Sequence, residues 1–413
     1  MGKRTVMRLV AAVGLVVFCT GCWDRVEINE RGFVIGVAID LPDEKGSEAE
    51  KEQTALSKVH GDRRFKATYQ FVSPGSLQYG GKGGSGGGGG GGSSAAFYNV
   101  SSVGDSMDVI SREFASRVSR SPYFEHLKMI IISEKVARSK AMLTDVLDFF
   151  LRDHEMRRGV KIMISRSEAA SVLDVRPPNE KLPVMYLNSV TENVRKTSRM
   201  IPETKIGDIH EHFLRRESYA LQSVQSNSVE AAVAGAAVIQ GGTNVLVGFL
   251  DEEEAIGLNF VTNQVRGGVI KAKAKSDAIV YDIQNSKRSI SADLSDIRQP
   301  RFRISIETEG LIGESLESLD LLKNGTLGDM EESVAQEIER LVTNAIKKLQ
   351  NEYKADVAGL NAYLRRNHYG VWKTIKSDWE TGDRLFMRAK ISVEAKVTIR
   401  RIGTVNQTKR KGD

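Results

Sequence analysis

The sequence comprises 413 residues, 40% hydrophobic and 27% charged, with 59 Lys+Arg against 53 Asp+Glu and a formal net charge of +6. That composition belongs to a folded chain of two or three domains. It excludes a disordered polymer, a disulfide-stapled mini-protein and a polytopic membrane protein. Three of the bases, Lys3, Arg4 and Arg8, sit in a segment expected to be removed, so the remaining chain lies nearer neutrality and offers no nucleic-acid footprint, which needs clustered bases.

Met1 to Arg8 is basic, Leu9 to Phe18 is an unbroken apolar run, and Cys19-Thr20-Gly21-Cys22 follows. A charged start, a short apolar run and small residues before a cut make residues 1–21 a secretory signal peptide. The run is too short to cross a hydrocarbon core of ~30 Å, which needs ~20 residues. Thr20-Gly21-Cys22 resembles a bacterial lipobox, with Cys19 where Leu is usual. In that reading the Cys22 thiol carries a diacylglycerol thioether, and an N-acyl chain such as palmitate is added at the new amino terminus. Several acyl chains anchor stably where one is marginal. Trp23 and Arg25 are then membrane-interface candidates, since an indole favours the headgroup level. No cysteine follows Cys22, which excludes a disulfide or a cysteine-ligated zinc in the remaining chain.

Along the chain, Phe33, Ile35, Val37 and Ile39 alternate with their neighbours, as do Phe65, Ala67, Tyr69 and Phe71. They predict two paired strands joined by a long polar loop. The stretch 80–92 holds 11 of the 38 glycines and is expected to be a disordered loop. Its formal matches to G-x-S-x-G and G-x-G-x-x-G lack the flanking strand and helix that those motifs require. Met107, Ile110, Phe114 and Val118 recur at helical spacing behind Asp105 and Ser106. Residues 127–133 predict a buried strand, 134–152 a helix and 160–164 another strand. Residues 184–217 read as helical, interrupted by Pro202, and the polar stretch 201–225 as a linker. Domains are therefore expected at 23–200 and 226–413.

Beyond the linker, Val233 to Ile239, Gly241-Gly242 and Val245 to Leu250 predict a hairpin. Asp251-Glu252-Glu253-Glu254 opens a helix at its positive dipole end. Strands are expected at 268–274, 277–284 and 301–309. The apolar series from Leu327 to Tyr353 steps by three and four, acidic at its start and basic at its end, and predicts one long helix packed on its own sheet. The strict alternation from Met387 to Arg400 predicts a strand with one wet face, as in an antiparallel sheet. The expected fold is multi-domain α+β, with mixed and antiparallel sheets packed with helices behind a lipoprotein signal peptide.

Candidate chemistry is sparse. His210 and His212 point apart if helical, so they read as surface residues rather than metal ligands. Asp153-His154-Glu155 reads as a charged helix end. Asp251 to Glu254 lacks the ligand spacing of a calcium loop. Trp372 and Trp379, with Ile375, read as core on one helical face. The terminal Lys409-Arg410-Lys411 reads as a tail with weak attraction to anionic lipid. No Walker motif, H-E-x-x-H or framed carboxylate pair is present, so no catalytic residue, metal or other cofactor is assigned.

Taken together, Cys22-Trp23-Asp24-Arg25-Val26-Glu27-Ile28-Asn29-Glu30 behind a signal peptide closely resembles the start of the Ger(x)C family, the C-subunit lipoproteins of spore nutrient-germinant receptors. The likeness continues through Gly36 to Asp40, Phe124 to Lys128 running into Ile130–Ile132, and Leu147 to Arg157. It resumes with Glu254 to Asn259, Tyr353 to Val357, the Trp372/Trp379 pair and Val397 to Gly403. Cys19, the glycine insertion and Ala358 depart from the family pattern. The resemblance implies a non-enzymatic lipoprotein on the outer face of the cytoplasmic membrane, in the spore the inner membrane. It would partner two polytopic receptor subunits and the lipid bilayer to trigger germination, with Cys22 as the transferable functional position. A stand-alone membrane-anchored lipoprotein that binds a small molecule is the alternative, and the nutrient is not identified.

Overall fold

In the computed structural model of the chain, residues 27–42, 63–74, 95–274, 277–315 and 325–401 are described, together with Gly2 and Arg4. Nearly all of the expected signal peptide, the glycine-rich stretch 80–92 and the basic tail at 409–411 lie outside them.

The N-terminal part is a ten-stranded mixed sheet. Its strands are β1 (Arg31–Asp40), β2 (Phe65–Val72), β3 (Phe97–Gly104), β4 (Ser121–Tyr123), β5 (Met129–Ser133), β6 (Lys161–Ser165), β7 (Thr204–Lys205), β8 (Tyr219–Ser226), β9 (Ala231–Gln240) and β10 (Val245–Leu250). Spatial order is β10-β9-β8-β6-β5-β1-β2-β3, with β4 on β1 and β7 on β6. The four central strands β8, β6, β5 and β1 run parallel, and antiparallel pairs flank them on both sides. Helices fill the crossovers: α1 (Met107–Arg117), α2 (Glu134–Arg138), α3 (Met142–Arg152), α4 (Ala169–Leu173), α5 (Pro183–Thr191) and α6 (Ile206–Arg215). Ser106 caps α1, accepting from Val109 N at 3.2 Å, as an N-cap serine should.

Both faces of the central strands are buried, so the alternation in β1 does not divide core from solvent. Val37, Ile39, Ile130 and Ile132 pack with Phe114, Leu147 and Phe150, while Ile35, Ala38, Met129 and Ile131 pack with Val172, Leu173 and Leu187. A parallel core covered by helices on both sides requires this. The helix expected over 134–152 is broken into α2 and α3 at Ala141, whose φ of 63° is left-handed.

The C-terminal part holds α7 (Glu252–Val261), β11 (Val269–Ala274), β12 (Asp277–Asp293), β13 (Arg301–Ser315), α8 (Thr326–Lys348), α9 (Leu360–Asn367), α10 (Tyr369–Ile375), α11 (Leu385–Arg388) and β14 (Lys390–Arg401). The four strands form a second sheet in the order β11-β12-β13-β14. The long helix α8 lies on it, with Met330, Val334, Ile338, Leu341 and Ala345 buried. β14 has the expected wet and dry faces, but it pairs with β13 in parallel, not antiparallel. The intervening α8 reverses the chain and makes that direction available. At the free edge of β14, Glu339 and Glu331 of α8 accept from Ala395 N and Ile399 N at 2.8 Å each, which blunts an otherwise unpaired edge.

The linker and boundary expected at 201–225 and 226 are corrected. That segment holds β7, α6 and nearly all of β8, and the sheet continues through β9 and β10 to Leu250. Its polar face misled the reading. Gln222 and Ser223 are buried, and Gln222 Nε2 donates to Ile201 O at 2.8 Å. The two parts share a core in which Ala236, Val238 and Leu250 of the first sheet pack with Ala255, Leu258 and Phe260 of α7.

Candidate functional site

A group of buried polar side chains lies where the start of β8 meets the C-terminal part. Local structure there is set by Asp356, which follows α8 and a π-helical turn, Leu349–Tyr353, closed by Lys354 in the left-handed region. The Asp356 carboxylate caps α9: Oδ1 accepts from Gly359 N at 3.1 Å and Leu360 N at 3.3 Å, and Oδ2 from Asn361 N at 2.7 Å. Oδ2 also accepts from Trp379 Nε1 at 2.8 Å, deep in the core. Burial raises the Asp356 pKa above the usual carboxylate range, against the four donors that favour its charged form.

Glu380 continues the network. Its Oε1 accepts from Asp356 N at 2.9 Å and its Oε2 from Ser218 Oγ at 2.5 Å, while Ser218 Oγ accepts from Gly241 N at 3.0 Å. Gly241 is needed for close approach rather than for a turn angle, since a Cβ there would stand 2.2 Å from Glu217 C. Burial, and secondarily the Asp356 charge, pushes the Glu380 carboxyl up to about 7. Beside it Glu217, buried, pairs with Arg365 of α9. Hollows of about 410 and 750 Å³ flank that pair, the larger rimmed by Trp372, Lys376 and Leu214. His212 stacks on Tyr219 at 5.3 Å, and burial lowers its pKa. The arrangement is a polar clasp joining the two parts.

The raised Glu380 pKa gives a pH dependence with a definite sign. Its neutral form is favoured in the folded chain, so its stabilisation is complete below the ordinary value of 4.5 and is lost as pH rises through about 7. Denaturant unfolding of the chain lacking residues 1–22 is expected to show about 2 kcal/mol less stability at pH 8.5 than at pH 5.5 from this group. Glu380→Gln should flatten that slope. An unchanged slope in the variant would remove Glu380 as its source.

Of the residues singled out from sequence, Trp379, Trp372 and His212 fall at this site and the others do not. Cys22, Trp23 and Arg25 lie outside the described residues. His210 and His212 sit on α6, where His210 Nδ1 lies 3.3 Å from Arg158 Nη2. Asp153, His154 and Glu155 follow α3, and Asp153 accepts from Glu155 N at 2.8 Å. Asp251 and Glu254 form a reciprocal capping box on α7. Lys348 binds Glu254 at 2.7 Å, and Arg340 binds Glu253 at 2.8 Å. Trp372 and Trp379 do meet, at 6.1 Å edge to face, but α10 ends at Ile375, so they do not share a helix. Among the described residues no group of three or more His, Cys, Asp or Glu is placed to hold a metal ion. Sequence reasoning missed Asp356, Glu380, Glu217 and Arg365. Only Asp356 carried a local signal, an acid three residues before Gly359 at a helix start.

Comparison with known proteins returns two matches that together span most of the chain. Residues 24–225 match the family described as spore germination protein N-terminal domain, and residues 234–403 match spore germination B3/GerAC like, C-terminal. The gap between them falls on the turn between β8 and β9, two paired strands of one sheet. Spore germination protein YndF of Bacillus subtilis (strain 168) is 32% identical over 405 residues, covering 98% of both chains. Spore germination protein B3 of the same organism is 30% identical over 400 residues, covering 95% of this chain and 96% of its own. The crystal structure of the GerBC protein superposes with a TM-score of 0.57 at 26% identity, over 88% of this chain and 97% of that one.

Proposed function

The chain belongs to the GerAC-like family of spore germination proteins, and from that membership we propose that it is the lipid-anchored subunit of a membrane receptor complex that responds to nutrients and triggers germination. The observation that carries this reading is end-to-end similarity to spore germination proteins over 98% of both chains. The role is non-catalytic, a scaffold or coupling part. The polar clasp supports it by joining the two halves into one surface to present to partners. Among the described residues no helix is long and apolar enough to cross a membrane. In this reading the attachment is Cys22, with diacylglycerol on its thiol and an N-acyl chain on its amine, at the outer face of the spore inner membrane. Trp23 and Arg25 would lie at the headgroups. The partners are two polytopic receptor subunits.

The test is recovery of the tagged protein from detergent-solubilised spore membranes, read by mass spectrometry. Two polytopic membrane proteins in fixed ratio are expected. Recovery of the chain alone, in detergent that preserves other complexes, would favour a stand-alone lipoprotein using the 750 Å³ hollow for a small molecule. Anchoring is tested separately. Cys22→Ala should release the protein from membranes and abolish fatty-acid labelling, and Trp23→Ser should weaken vesicle binding of the acylated protein. Retention and labelling of Cys22→Ala would sink the anchor.

A further inference from the structure

The parallel strands of the first sheet start at a common end. Gly36 of β1 pairs with Met129 of β5, Met129 with Lys161 of β6, and Met163 of β6 with Gln222 of β8. The antiparallel strands return to that end. Phe71 near the end of β2 lies opposite Val34, and Phe97 at the start of β3 lies opposite Val72. Ile239 of β9 lies opposite Tyr219, and Val245 of β10 opposite Gln240. The described chain also begins there, at Glu27 and the short turn Ile28–Glu30 that leads into β1. Ser73 and Ala96, which flank the glycine-rich segment, are hydrogen-bonded at the same end. At the opposite end, Ser226 pairs with Ala231 around a turn that carries Val229.

Three of the exposed large apolar side chains lie at the first end. Ile28 is 71% exposed, Tyr98 of β3 41%, and Leu214 in the last turn of α6 74%. Arg215 and Arg216 follow Leu214 and are also exposed. We infer that this end of the sheet rests on the bilayer surface, with Ile28, Tyr98 and Leu214 at headgroup level and Arg215 and Arg216 toward anionic lipid. The inference rests on the reading of Cys22 as acylated. Four residues separate Cys22 from Glu27, so the tether of five Cα–Cα steps spans at most about 18 Å. The eight-residue β8 sets the opposite end roughly 25 Å farther away. A short tether therefore presses this end, and not the other, against lipid. Exposed apolar tips, with Arg215 and Arg216 beside Leu214, are chemistry that an anionic interface accepts.

The experiment uses the acylated full-length protein in vesicles containing phosphatidylglycerol and a lipid spin-labelled at the headgroup. Ile28→Cys, Tyr98→Cys, Leu214→Cys and Val229→Cys each add one reactive thiol for a fluorophore, because Cys22, blocked by its thioether, is the sole cysteine after the cut. All four positions are exposed, so labelling leaves the core intact. Quenching several-fold stronger at the first three positions than at Val229 is expected. Flotation with the vesicles, but equal quenching at all four positions or the strongest at Val229, would overturn the orientation while leaving the anchor standing. Failure to float would overturn the Cys22 reading itself, and the orientation with it.

Discussion

Asp356→Ala is expected to lower the unfolding free energy by about 3–5 kcal/mol, because it strands several buried donors at once. Three are the backbone N–H groups of Gly359, Leu360 and Asn361 at the start of α9, and the fourth is the indole of Trp379. Loss of a helix cap alone costs ~1 kcal/mol, and each unpaired buried donor adds ~1–3 kcal/mol. Asp356→Asn keeps one acceptor oxygen and should fall between wild type and Ala. Urea unfolding measures the loss. A double-mutant cycle with Trp379→Phe should be strongly non-additive, since both changes break one bond. A loss under ~1 kcal/mol for Asp356→Ala would mean that water reaches those donors, and that the clasp does not hold the two parts together.

The second large effect is expected at Gly257 in α7. A Cβ there would stand 2.3 Å from Leu341 O, 2.7 Å from Leu341 C and 3.0 Å from Ala345 Cβ, all on α8. Glycine inside a helix normally costs ~0.5–1 kcal/mol relative to alanine, so Gly257→Ala would stabilise an isolated helix. Overlap with a backbone carbonyl in a packed core costs ~1–3 kcal/mol and has no soft side chain to yield. The overlap wins: Gly257→Ala should destabilise, and Gly257→Val should separate α7 from α8 and expose the shared core. Chemical unfolding of the alanine variant checks the sign. A gain in stability would show that the helices stand farther apart than this geometry requires.

Much of the local structure was legible. The caps at Ser106 and Asp251, the long α8 with its charge gradient, and the hairpin over 233–250 all follow from composition and period, which depend on neighbouring residues. The failures share a cause. The stretch 201–225 looked like a linker because Gln222 and Ser223 are polar, yet β8 buries them beside the parallel core and satisfies them there. Nothing local distinguishes a buried, satisfied glutamine from a wet one. The direction of β14 was equally invisible, because alternation reports which face is dry and not which way the neighbouring strand runs.

The residues of the candidate site show the same division. Cys22 is a proposal from contiguous residues alone, because a processing signal is read as a linear segment. Glu380 and Ser218 are 162 positions apart, and Arg365 and Glu217 are 148 apart. By itself the sequence determined the family resemblance and most element types, both of which rest on short-range spacing. Only the tertiary structure decided that two sequence regions form one joined body with a clasp between them. Burial there reverses the ordinary cost of charge, and burial is a property of residues that meet through the fold.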